Sequence, residues 1–71
     1  MLVSDFTVPE LDLFRAKCNF TRNEIPIFEM RSQGIPLEEI AETLDMSVDN
    51  VQRISRKVNR KISIILNWQE H

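Results

Sequence analysis

The stretch PLEEIAETLDMSVDNVQRISRK, residues 36 to 57, decides how the rest of this chain is read. Leu37, Ile40, Ala41 and Leu44 fall on one face of a helix, and Glu38, Glu39 and Glu42 fall on the other. Asp45, Met46 and Ser47 then break the pattern. Asp tolerates left-handed backbone better than most residues, and Ser47 is a good N-cap with Asp49 favourably placed on the dipole of the helix it opens. From Val48 onward Val51, Ile54, Val58, Ile62 and Ile65 recur at spacings of three and four, with no proline or glycine, to about Asn67. Two apolar faces joined by a three-residue turn have helix-turn-helix geometry. Ala41 leaves room where the helices cross, Met46 plugs the turn, and Val51 and Ile54 close the angle. A helical hairpin with no further role would bury the same residues.

Upstream, Thr7 and Glu10 have capping-box spacing, Pro9 is tolerated in a first turn, and Leu11, Phe14 and Cys18 recur at helical intervals. Thr21 stands three residues before Glu24, a second such spacing ahead of Ile27, Phe28 and Met30, with Asn23 as a rival cap. Pro26 threatens a kink there, because beyond the first turn a proline forfeits a backbone hydrogen bond. Gly34 supplies a left-handed terminator and Pro36 suits the first position of the next helix. One glycine and no alternating apolar run argue against strands. The expectation is a single all-α domain over residues 1–71: a small four-helix helix-turn-helix domain with helices at about 9–18, 23–33, 36–44 and 48–67, the last one elongated. The arm from Met1 to Val8 is left without an assignment. A core of this size supplies roughly 3–5 kcal/mol, so packing against a second copy is a physically sensible supplement.

Several function classes drop out on chemical grounds. The sole cysteine, Cys18, has no sequence-proximal base and reads as a small buried hydrophobe. His71 is the sole histidine, so a four-ligand zinc site is out of reach and no cofactor is expected. No glycine-rich phosphate loop exists. An enzyme is therefore not expected. No apolar run approaches the roughly 20 residues of a membrane span, and no leader pattern opens the chain, so a cytoplasmic protein is expected. The net charge of −2 is unevenly spread. Residues 1–49 carry ten acids against four bases, whereas residues 50–71 carry Arg53, Arg56, Lys57, Arg60 and Lys61 against Glu70 alone. A solvated helix face is the plain reading of such a run; a nucleic-acid surface is the functional one.

Thr21-x-x-Glu24, Gly34, Glu39-Ile40-Ala41-Glu42, Leu44, Ser47, Val51 and Arg60-Lys61 fall in one gapless frame. Over residues 21–62 that frame resembles the DNA-binding domain of LuxR-type response regulators and region four of bacterial sigma factors. The short N-terminal extension also looks like small regulators of mobile elements or phage. The resemblance implies a small bacterial transcription regulator that binds double-stranded DNA, its recognition helix beginning at Val48. Ser47, Val48, Asp49, Gln52, Arg53 and Arg56 are then the base-reading candidates, and Lys57, Arg60 and Lys61 the phosphate contacts. Thr21 and Arg22 start a helix that can approach the backbone, although capping alone explains Thr21. Asp45 and Asp49 depart from the pattern. The first replaces a glycine or apolar residue common in such turns, and the second puts negative charge near the groove, where it must accept from a cytosine amine or be repelled.

The acidic face of Glu38, Glu39 and Glu42 keeps a second expectation open, a protein-interaction module that docks on RNA polymerase or another regulator. Ile62, Ile64, Ile65, Leu66 and Trp68 wrap nearly all sides of the last helix. They either pack against Leu2, Val3, Phe6, Leu11, Leu13 and Phe14 of the same chain or form a symmetric homodimer surface.

Overall fold

The computed structural model describes residues 3 to 69, with side chains described through Asn67. A short 3-10 turn at Val3–Asp5 leads into α1 (Val8–Lys17), α2 (Glu24–Ser32), α3 (Leu37–Leu44) and α4 (Val48–Gln69), with no strand among the described residues. The chain is all-α. Its principal extents are 39 × 19 × 18 Å. The long dimension is set by α4, whose 22 residues span about 33 Å at 1.5 Å each.

Each helix begins and ends for a local reason. At α1 the Thr7 N–H donates to Glu10 Oε1 at 2.8 Å and the Glu10 N–H to Thr7 Oγ1 at 3.4 Å, a complete capping box with Pro9 in the first turn. At α2 the Glu24 and Ile25 N–H groups both donate to the Thr21 carbonyl, at 3.0 and 3.1 Å. Asn23 occupies the N-cap position, but with helical φ and ψ and no side-chain cap bond. Pro26 is the third residue of α2, where no intrahelical acceptor awaits its missing N–H, and the expected kink has no cause. Pro36 lies just outside α3 as its N-cap residue, one place earlier than expected.

Two helix ends use the same device. Gly34, at φ 79, donates to the Arg31 carbonyl at 3.0 Å while Ile35 donates to Met30 at 3.1 Å. Asp45, at φ 56, donates to Glu42 at 3.4 Å while Met46 donates to Ala41 at 2.8 Å. Both are Schellman closures, which need left-handed backbone at one residue. The first uses the glycine and the second uses the aspartate anticipated there.

Two buried clusters share α4. Val3, Leu11, Phe14, Cys18, Phe28, Val58, Ile62 and Ile65 form one, with Phe6, Leu13, Phe20 and Leu66 partly buried against it. Ile27, Ile40, Ala41, Val51 and Ile54 form the other, with Met46 packed on it at the turn. Adjacent residues of α2, Ile27 and Phe28, reach into different clusters and join them. Ile62 and Ile65, exposed by 0% and 9%, therefore pack within their own chain, the first of the two alternatives read from the sequence. Ile64 is 59% exposed. Leu2 and the side chain of Trp68 lie outside the described residues.

A Cβ added at Gly34 would meet only Ser4 Cβ, at 3.9 Å and without a clash, so only the backbone penalty remains. Gly34→Ala is expected to lower unfolding free energy by about 1–2 kcal/mol, and Asp45→Gly to raise it by up to about 1 kcal/mol, in urea titrations. Equal effects of the same sign would contradict the two closures.

Candidate nucleic-acid interface

The helical period that buries one side of α4 exposes the other. Val48, Asp49, Gln52, Arg53, Arg56, Lys57 and Arg60 are all exposed, and Ser47 is exposed at the turn before them. Asp49, Arg53, Arg56 and Arg60 follow at intervals of four, three and four, which stacks them along one ridge. Ser47 fixes the start of that ridge by accepting the Asn50 N–H on its Oγ at 3.1 Å. Its carbonyl takes the Val51 N–H at 3.1 Å. Among the described residues no carboxylate pairs with Arg53, Arg56, Lys57 or Arg60. The ridge thus presents four cations to solvent, with Asp49 at its first turn.

Lys61 is different. Its Nζ donates to Glu24 Oε1 at 2.5 Å and to the Asn19 carbonyl at 3.3 Å. Glu24 is only 4% exposed and also accepts the Thr21 N–H at 2.8 Å. Lys61 closes the α1–α2 turn from across the molecule, its side chain half-buried there. The ammonium expected to meet a phosphate is thus engaged by a buried carboxylate, and a cation leaving it would strand an unpaired charge. Burial raises the pKa of Glu24, but the bonds from Lys61 and the Thr21 N–H outweigh it and the net direction is downward. Burial also pushes the Cys18 thiol up, against the opposing charge of Lys61, so Cys18 stays a neutral packing residue.

A second ion pair ties α1 to α2. Arg15 Nη2 lies 2.6 Å from Glu29 Oε1, its Nε bonds the same carboxylate, and its Nη1 reaches Asp12 Oδ1 at 2.7 Å. The guanidinium also lies over the Phe28 ring, 5.6 Å from its centroid. The Arg15 hydrogen bonds hold Glu29 below the ordinary carboxylate range, with burial opposing. On α3, by contrast, Glu38, Glu39 and Glu42 are exposed and have no cation partner among the described residues.

Sequence reasoning missed Glu24 as more than a cap. The box spacing to Thr21 was visible, but nothing local points to Lys61, 37 residues away. No family model matches this chain, and no curated protein or solved structure is significantly similar to it. No helix among the described residues is long and apolar enough to cross a membrane.

Both depressed carboxylates set a pH direction. Their pKa values are lower folded than unfolded, so their contribution is present above the unfolded value of about 4.3 and is lost as pH falls through the folded one. Unfolding midpoints in urea are expected to drop steadily below about pH 4, and Glu24→Gln is expected to flatten that drop. A drop unchanged by the substitution would place the acid sensitivity elsewhere.

Proposed function

We propose that this chain binds double-stranded DNA sequence-specifically, as a small bacterial-type transcription regulator without catalytic activity, with α3, its turn and α4 acting as a helix-turn-helix. The observation that carries the reading is the exposed ridge of Gln52, Arg53, Arg56, Lys57 and Arg60, unpaired within the described chain and backed along its full length by buried Val51, Ile54, Val58 and Ile62. A solvated face alone gives no reason for the acids to be kept off it after Asp49. The resemblance of residues 21–62 to LuxR-type and sigma region four domains supports the same assignment.

The chemistry sorts along the helix. Gln52 can pair bidentately with adenine, and Arg53 and Arg56 with guanine, while Val48, 40% exposed, suits a thymine methyl. Ser47 and Asp49 stand at the start of the ridge, where Asp49 accepts from cytosine N4 or rejects other bases. Lys57 and Arg60 lie further along and suit phosphates, which set affinity and register but not sequence.

The acidic outer face of α3 favours a second reading: docking on a basic surface of RNA polymerase or another regulator. The two readings part on one experiment. Fluorescence anisotropy with a random duplex pool across a salt series is expected to give salt-sensitive binding with a slope of about −3 to −4, the value for four cations at 0.9 each. Changing Arg53, Arg56 and Lys57 together to Ala should abolish it. After site selection, Gln52→Ala or Arg53→Ala is expected to relax sequence preference by about 1–3 kcal/mol. No retention at low salt would move the assignment to the docking module.

A further inference from the structure

The Glu24–Lys61 pair sits where α4 meets the α1–α2 turn, and its partners leave it little freedom. Glu24 is 4% exposed and its carboxylate takes the Thr21 N–H as well as the Lys61 ammonium. Lys61 takes, in addition, the carbonyl of Asn19, a residue held at φ 51. Left-handed backbone at a non-glycine residue costs energy and persists where its surroundings hold it. Two segments distant in sequence, residues 19–24 and the turn of α4 that carries Lys61, thus meet at one ammonium group.

This part of α4 is buried through Val58, Ile62 and Ile65, which share one apolar cluster with Phe28 of α2. Such contacts are non-directional: they fix how deeply α4 is buried but tolerate small rotation or sliding about its axis. Charge-assisted hydrogen bonds are directional and resist both. Lys61 lies on the same uninterrupted helix as Arg53, Arg56, Lys57 and Arg60, so whatever fixes the rotation of Lys61 fixes theirs.

We infer that Glu24 and Lys61 are positioning residues for the basic ridge, a buried lock that sets the rotation and register of α4 and so determines which bases the ridge can discriminate. The inference rests on the DNA-binding reading and adds to it that sequence preference is controlled from a site that touches no nucleic acid. Discrimination, more than affinity, depends on the lock. A ridge turned slightly still meets phosphates, but bidentate base contacts demand fixed geometry.

The test compares wild type with Lys61→Met, Glu24→Gln and the double substitution, using the selected duplex and a random duplex. Lys61→Met is expected to reduce the preference for the selected duplex by about tenfold, the scale of one lost base contact, and to leave the salt slope unchanged. Glu24→Gln should reduce preference similarly while strengthening binding to the random duplex, because Lys61 is then free. The double substitution removes the stranded charge. It keeps the proposal testable if Lys61→Met alone fails to fold, and it should also lose preference. A slope shallower by about 0.9 in Lys61→Met would make Lys61 a phosphate contact and overturn the lock. Wild-type preference in the folded double variant would overturn it too.

If wild type binds no duplex, the function fails but the lock is still read in the free protein. Amide NMR shifts from Arg56 to Ile62 should move in Glu24→Gln, and the Glu24 carboxyl should titrate higher in Lys61→Met. Neither change occurring would overturn the inference independently of DNA.

Discussion

Because Val51, Ile54, Val58, Ile62 and Ile65 all turn inward at spacings of three and four, the opposite side of α4 has no neighbours within the described chain, and the remaining helices are arranged by what those five residues require. The first two draw α3 against the start of α4; the last three draw α1, Phe28 of α2 and the N-terminal 3-10 turn against its later turns. Each such side chain contributes about 1.5–3 kcal/mol on burial. In a chain this short, the loss of one is comparable with the whole margin of stability. The exposed ridge is a geometric consequence of that packing, which decides which side of α4 faces solvent.

Much of this was legible because periodicity and turn chemistry are local. The apolar spacing of α3 and α4, the box at Thr7 and Glu10, and the left-handed roles of Gly34 and Asp45 all follow from residues within a few positions of one another. Where the expectation slipped, the controlling partner was distant or the helix boundary was misplaced. Pro26 looks disruptive only until α2 begins at Glu24. Ile62 and Ile65 look available to a second copy until Phe14 and Val3 are brought over them. Lys61 is one of five bases in a run and carries no mark that separates it from Lys57. Its difference is that it faces the α1–α2 turn, which no window of sequence contains.

The exposed and buried charges answer different constraints. Arg15 with Asp12 and Glu29, like other ion pairs with both partners well exposed, is worth little in stability, and its main effect is to hold α1 beside α2. Glu24 is buried, so leaving it unpaired would cost several kcal/mol, and Lys61 is required by the fold before any question of ligand arises. Counting bases along α4 overstates the cationic surface by one. On the exposed side of α4 the cations are Arg53, Arg56, Lys57 and Arg60.

The surface charge is lopsided, despite the net charge of −2. The exposed carboxylates of α3 and Asp49 gather around the α3–α4 turn, and the four cations run away from it along α4. A polyanion approaching such a molecule is repelled at one end and attracted along the other, so the encounter is oriented before contact. The charge order also bears on depth. With Asp49 at the first turn, the cations begin one turn later, so a polyanion is drawn toward the middle of α4 and held off its first turn.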